Sequence, residues 1–212
     1  MWLNFLDKIY LVNLSFRTDR LLAATEVLEK YEIPHQRINA VHDAEQGARG
    51  LRDTMLHIFN DAIENNHENI LVLEDDVVFV VDKEFVDATM NQVVKQLPPN
   101  YFLCYLGGQP TAGFPNFYSD NLLPAIQFFA THAVMYSKQG IKEIMTRGLG
   151  YPIDNWMVSN IQTQGNCYCT NPMLASQRPD KSDIGGQFIS WVPFIDQRFQ
   201  QKLNELHGRV RR

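Results

Sequence analysis

Apolar and polar positions switch between two periods along this chain, and the switches mark out its elements. Lys8 to Leu14 (KIYLVNL) is a short β-rich run that Ser15 to Arg17 breaks. From Arg20 the spacing turns helical, with Leu21, Leu22, Val27 and Leu28 apolar, until Ile33-Pro34 ends it. His35 to Val41 predicts a second short strand. Gly50 opens the clearest helix: Leu51, Met55, Ile58, Phe59, Ala62 and Ile63 share one face, and Asn65-Asn66 closes it. Ile70 to Leu73 then runs apolar without alternation, as a strand buried on both faces does, and stops at Glu74-Asp75-Asp76.

The second half continues the alternation. A helix is predicted from Glu84 to Leu97, capped by Asp82. A strand follows over Tyr101 to Leu106, closed by Gly107-Gly108. Gly113 to Pro124 reads as a long loop, and Gln127 to Tyr136 as a strand. Helices follow from Ser137 to Gly148 and from Asn155 to Gln164, with a last short strand over Asn166 to Thr170. Arg178 to Gly186 reads as a mobile polar segment, and Ile195, Phe199, Leu203, Leu206 and Val210 as a closing helix. Strands alternating with helices predict an α/β/α sandwich around a largely parallel or mixed central sheet. No linker or repeat divides residues 1–212, so one domain is expected, complete or part of a longer chain.

Composition narrows the partners. The 212 residues are 45% hydrophobic and 20% charged, which excludes a disordered or fibrous chain. A net charge of −5 argues against a broad nucleic-acid surface, although Lys202, His207, Arg209, Arg211 and Arg212 gather locally. Cys104, Cys167 and Cys169 are too few and too unevenly placed for a disulfide framework and are expected as reduced thiols, the last two on opposite faces of their strand. Asp7 and Lys8 cut short any signal-peptide core, and no apolar run approaches the roughly 20 residues of a membrane span. A cytoplasmic location is the simplest expectation.

The chemistry concentrates at the acidic triplet. Three acids directly after four buried aliphatics repel one another unless a cation compensates, and a hard divalent ion with oxygen ligands is the natural one. In extended geometry Glu74 and Asp76 point one way and Asp75 the other. A solvated acidic turn is the bland alternative. A receiver-type signalling domain also carries acids at a strand end, but on its first strand; here two strands precede them, and Tyr101 to Leu106 ends in glycines instead of a phosphoaccepting aspartate.

Several short segments occur together in a recognisable order. Ile9 to Leu14 with Ser15-Phe16-Arg17-Thr18-Asp19-Arg20, then Ile70 to Val77, Thr131-His132-Ala133, Tyr151-Pro152-Ile153-Asp154, and Pro172 through Gln177 to Ser182-Asp183-Ile184 make the set. Over residues 9–184 this resembles glycosyltransferase family 25, the lipooligosaccharide and collagen-galactosyltransferase group, of GT-A fold. Thr54-Met55 stands near the place of that family's Ser-His pair. The resemblance implies a metal-dependent, inverting transfer of a hexose from a nucleotide-diphosphate sugar, UDP-hexose first, to a hydroxyl of a glycan, lipid-linked or protein acceptor.

It also implies roles. Asp76, with Asp75, would hold Mn2+ or Mg2+, and His207 is a further candidate ligand. Asn13, Arg17, Arg20, Glu74, Asp75, His132, Gln177 and Asp183 would contact the nucleotide sugar, arginine suiting phosphate through its paired donors. Asp154 would take the acceptor's proton. Several have a structural alternative: Arg20 as a solvated helix residue, Asp154 as an N-cap and His132 as a core histidine; Trp156 and Trp191 could stack on a sugar or simply pack in the core. A binding module that holds nucleotide sugar without transferring it is the rival from another class.

Overall fold

Residues 1–111, 118–181 and 188–189 are described in a computed structural model of the chain. In chain order it runs β1 (Lys8–Asn13), α1 (Thr18–Lys30), β2 (Gln36–Asn39), α2 (Gly47–Glu64), β3 (Asn69–Glu74), β4 (Val77–Phe79) and α3 (Lys83–Gln96). Then come β5 (Leu103–Tyr105), β6 (Gln109–Pro110), β7 (Leu122–Pro124), β8 (Phe128–Phe129), β9 (Ala133–Ser137), α4 (Lys138–Arg147) and α5 (Ile153–Asn160). β10 (Cys167–Thr170), β11 (Ala175–Gln177), β12 (Asp180–Lys181) and β13 (Phe188–Ile189) follow.

Among the described residues, seven strands form the central sheet in the order β2-β1-β3-β9-β5-β10-β7. β1 pairs in parallel with β2 and β3, and β5 with β10. The β3–β9, β9–β5 and β10–β7 pairings are antiparallel. The sheet is therefore mixed. Successive residues of β3 feed opposite layers: Ile70 and Val72 pack with α2, α4 and α5, whereas Leu71 and Leu73 pack with α1 and α3. That burial on both faces explains the unbroken apolar run and confirms the expected sandwich.

Local chemistry sets the boundaries. Asp82 caps α3 by accepting from the Phe85 N–H at 2.8 Å, and Ser137 caps α4 through the Gly140 N–H at 3.0 Å. Three expectations need correction. Leu122–Pro124, expected in a loop, is an edge strand antiparallel to β10, a pairing supplied by tertiary contact and not by the local pattern. Gln127 to Tyr136 is two elements, because left-handed backbone at Gln127 (φ 49°) and Ala130 (φ 75°) interrupts extension. Cys167 and Cys169 enter the same core layer, since residues two apart on a strand share a face. All three cysteines are buried free thiols, as expected.

Asn155 to Gln164 is likewise shorter as a helix: α5 ends at Asn160 and a 3-10 turn covers Gln162–Gln164. The expected closing helix, the C-terminal basic cluster, Trp191, Asp183 and His207 lie outside the described residues. Among the described residues no helix is long and apolar enough to cross a membrane.

The segment that delivers Gln177 to the sheet edge is anchored at the end of β5. The Leu106 carbonyl accepts from the N–H groups of both Leu174 (2.7 Å) and Ala175 (3.0 Å). A Cβ on Gly107 would lie 1.8 Å from the Ala175 carbonyl oxygen, so only glycine admits this crossing without backbone movement. Gly107→Ala is expected to destabilise the protein by about 1–3 kcal/mol, the usual cost of overpacking. Chemical denaturation checks it; a loss under about 0.5 kcal/mol would show the crossing to be loose.

Candidate functional site

The carboxyl ends of β1 and β3 lie side by side because the two strands are parallel and in register, Val12 opposite Glu74. Beyond them opens a cavity of about 180 Å³. Its walls are the ends of β1, β2 and β3, the start of α2 and the β11–β12 passage, with Asn13, Arg20, Glu74, Asp75, Asp76 and Gln177 all lining it. Six of the residues picked out in the sequence thus converge on one space.

Asp75 is the best-held acid. It is 7% exposed and accepts from Asn13 Nδ2 at 2.7 Å and from Arg20 Nη1 at 3.1 Å, one bond to each carboxylate oxygen. Asn13 also donates to the Arg17 carbonyl and accepts from Arg37 Nη2 at 2.9 Å, so it fixes the start of the β1–α1 loop. Arg20 is 8% exposed, which removes the solvated-helix alternative. Burial works against its charge, but Asp75, Asp180 and Asp76 more than offset this and raise its pKa. Arg17 does not itself line the cavity; its Nη2 donates to Asp180, which does, at 3.1 Å, and to Asp19.

Glu74 and Asp76 are held differently. Thr131 Oγ1 donates to Glu74 Oε1 at 2.8 Å, and Gln177 Nε2 donates to Asp76 Oδ2 at 3.2 Å. Asp76 Oδ1 is buried without a hydrogen-bond partner among the described residues. Burial, then the charge of Asp76, pushes Glu74 up to about 8, with Thr131 opposing. Burial pushes Asp76 up to about 6 against the pull of Arg20, with Asp75 adding to the rise.

Asp154 lies in the first turn of α5, whose N-cap is Pro152, so it is not the cap. Burial raises its pKa, and its charge in turn raises Glu74, which places the two within electrostatic reach. His132 is 1% exposed and does not line the cavity. Burial draws it down to about 4 against a weak pull from Ala175, so it is neutral at physiological pH. Trp156 is half-buried against the core.

Sequence reasoning missed several parts. Arg178, expected at the start of a mobile segment, is tied in place. Its N–H donates to the Asp76 carbonyl at 2.6 Å and its Nη2 to the Asp75 carbonyl at 2.8 Å. Asp180, two residues on, bridges Arg17 and Arg20. Phe16 and His42 form an edge-to-face pair, 5.0 Å between centroids, at the cavity wall. Thr54, near the place of the family's Ser-His pair, is a buried brace: it accepts from the Val41 N–H at 2.8 Å and donates to the Gly50 carbonyl. The only sequence signal for Arg178 and Asp180 was their nearness to Gln177.

Comparison with solved structures finds distant likenesses. One is to a glycosyltransferase involved in the glycosylation of the major capsid of PBCV-1, at 14% identity and TM-score 0.45, covering 76% of this chain and 79% of that one. Another is to mannose-1-phosphate geranyltransferase from Thermus thermophilus, at 11% identity and TM-score 0.44, covering 76% of this chain and 58% of that one. No protein-family model and no curated protein matches the chain. Likenesses this distant leave the functional reading to the site itself.

Two outcomes follow from the electrostatics. Asp75→Ala strands the buried Arg20 charge and should cost about 3 kcal/mol, the lower end for breaking a buried pair because Asp180 still holds Arg20; a loss below about 1 kcal/mol in urea denaturation would contradict it. Glu74 binds its proton more tightly folded than unfolded, so the metal-free protein loses stability as pH rises from its ordinary 4.5 towards about 8. Glu74→Gln should flatten that decline and gain most at the alkaline end. An unchanged pH–stability profile would place Glu74 in a solvated environment.

Proposed function

We propose that this chain is a glycosyltransferase that moves a hexose from a nucleotide-diphosphate sugar, UDP-hexose first, to an acceptor hydroxyl with inversion, as the resemblance to family 25 implies. One observation carries the reading: Arg20, Arg178 and an acidic triplet line the same cavity, and one buried acid oxygen, Asp76 Oδ1, lacks a partner among the described residues. A diphosphate next to carboxylates needs just such a mixture of cations and an acid able to hold a bridging metal.

The donor set fits a divalent ion, though not a complete cage. No group of three His, Cys, Asp or Glu side chains among the described residues could hold a metal by itself. Each oxygen of Asp75 accepts one bond, from Asn13 and from Arg20, so Asp76, with its unpartnered Oδ1, is the main anchor and Asp75 both orients Arg20 and has acceptor capacity left for the ion. Mg2+ sites commonly use one or two carboxylates and complete the shell with water and substrate phosphates. Held by Asp76, Mn2+ or Mg2+ would supply Lewis-acid stabilisation of the diphosphate leaving group.

The chain's own residues do the rest. Arg17 and Arg20 neutralise the phosphates, and the exposed Phe16 ring, braced edge-to-face by His42, offers the base an aromatic surface. Gln177 and Arg178 hold the Asp75-Asp76 turn in place through side chain and backbone. Asp154 accepts the acceptor hydroxyl's proton as that oxygen bonds to the sugar carbon and the carbon–phosphate oxygen bond breaks. Burial raises its pKa, which makes it a stronger base than a solvated aspartate. No covalent intermediate is required.

Two variants test separate parts. Asp76→Ala should abolish the gain in UDP-hexose binding that manganese gives while leaving the fold intact; retention of that gain removes Asp76 from the metal site. Asp154→Asn should lower the turnover number at least about 100-fold with donor affinity nearly unchanged. Steady-state kinetics with a parallel donor titration decides it. Turnover within a few-fold of the parent rules Asp154 out as the base, and tight donor binding with no turnover in the parent chain would make the protein a binding module.

A further inference from the structure

Asp180 holds Arg20, which lines the cavity, together with Arg17 beside it. Its Oδ2 accepts from Arg17 Nη2 at 3.1 Å and from Arg20 Nε at 2.9 Å, so one carboxylate oxygen bridges two guanidinium groups. Its side chain is 34% exposed, whereas Asp75, which grips Arg20 from the interior, is 10% exposed. Arg20 thus has an inner acid and an outer one. The inner acid is further held by Asn13. The outer one lines the cavity and belongs to β12, a two-residue strand paired antiparallel with β13.

Two guanidinium forks converging on one oxygen make a geometry suited to phosphate. In this chain a carboxylate already fills it. We infer that Asp180 is an autoinhibitory latch, a built-in anion on the arginine pair that an incoming diphosphate displaces. The inference rests on the reading of Arg17 and Arg20 as phosphate ligands. Phosphate and the Asp180 carboxylate compete for the same N–H donors and repel each other if both stay. Asp75 does not leave, because it is buried and satisfied on both oxygens. Displacement moves the first residue of β12, so occupancy of the cavity is transmitted to the β12–β13 ribbon.

The test is calorimetric titration of UDP into the full chain, Asp180→Asn, Asp180→Ala and Arg17→Ala. Removing the competing carboxylate should tighten UDP binding about three- to tenfold in both Asp180 variants, the scale of one partly exposed charged contact, while Arg17→Ala weakens it. In the unaltered chain, amide hydrogen exchange at Asp180 and Lys181 should accelerate when UDP is added. If the Asp180 variants bind UDP no tighter while Arg17→Ala binds it more weakly, the arginines take phosphate but Asp180 merely positions them, and the latch is overturned. If Arg17→Ala and the parent bind UDP equally, or neither binds it, the phosphate reading fails and takes the latch with it. Should both Asp180 variants fail to fold, unchanged exchange in the unaltered chain overturns the proposal by itself.

Discussion

Negative charge crowded at the end of a doubly buried strand is the constraint around which this structure is organised. β3 has core on both faces, so it delivers Glu74, Asp75 and Asp76 to a place where water solvates them poorly. Asp154 adds its field from α5. Folding answers only part of that charge. Arg20 reaches Asp75 directly, Thr131 and Gln177 give neutral hydrogen bonds to Glu74 and Asp76, and Arg178 spends its guanidinium contact on a backbone carbonyl. The unanswered remainder appears as the raised pKa values of Glu74 and Asp76. Carboxyl groups with raised pKa values lining a cavity mark a candidate site, which is why the residue set reads as a site and not as a solvated surface turn.

Strand direction explains why remote segments meet at this edge. Because β9 runs antiparallel to β3, its amino end, Thr131 and His132, arrives beside Glu74; the Glu74 N–H donates to the His132 carbonyl at 2.9 Å. β5 runs antiparallel to β9 in turn, so Gly107 emerges at the same edge, where the chain after β10 crosses it. That crossing carries Gln177, Arg178 and Asp180 across the open side of the acidic turn. One sheet edge therefore gathers residues from positions 13 to 180.

Much of this was legible in the sequence, and the divide has physical causes. The apolar run before Glu74, the helical face of α2, the Asp82 cap and the helix start at Ser137 are local signals, and the structure follows them. The meeting of Asn13 with Glu74, Asp75 and Asp76 rests on the ends of the parallel neighbours β1 and β3, whereas Arg20 comes from α1 and Gln177 from the crossing after β10. What stayed hidden depends on tertiary contact. The antiparallel direction of β9 and the edge strand Leu122–Pro124 are choices of partner that a local run does not encode. Arg178 and Asp180 sit in a polar stretch indistinguishable from a loop until the Asp75-Asp76 turn is placed beneath it. Thr54 shows the reverse case: a position marked by resemblance that serves here as a brace between the end of β2 and the start of α2.

We propose that the cavity beyond β1 and β3 binds a nucleotide-diphosphate sugar through arginine and metal together. Isothermal titration of UDP-glucose and UDP-galactose into the metal-free chain, with and without manganese, tests it most directly. Saturable one-to-one binding of at least one of them is expected, about tenfold or more tighter with manganese and weakened by added salt, as charge pairing requires. Absence of binding with the metal present, or an affinity indifferent to both metal and salt, would contradict it.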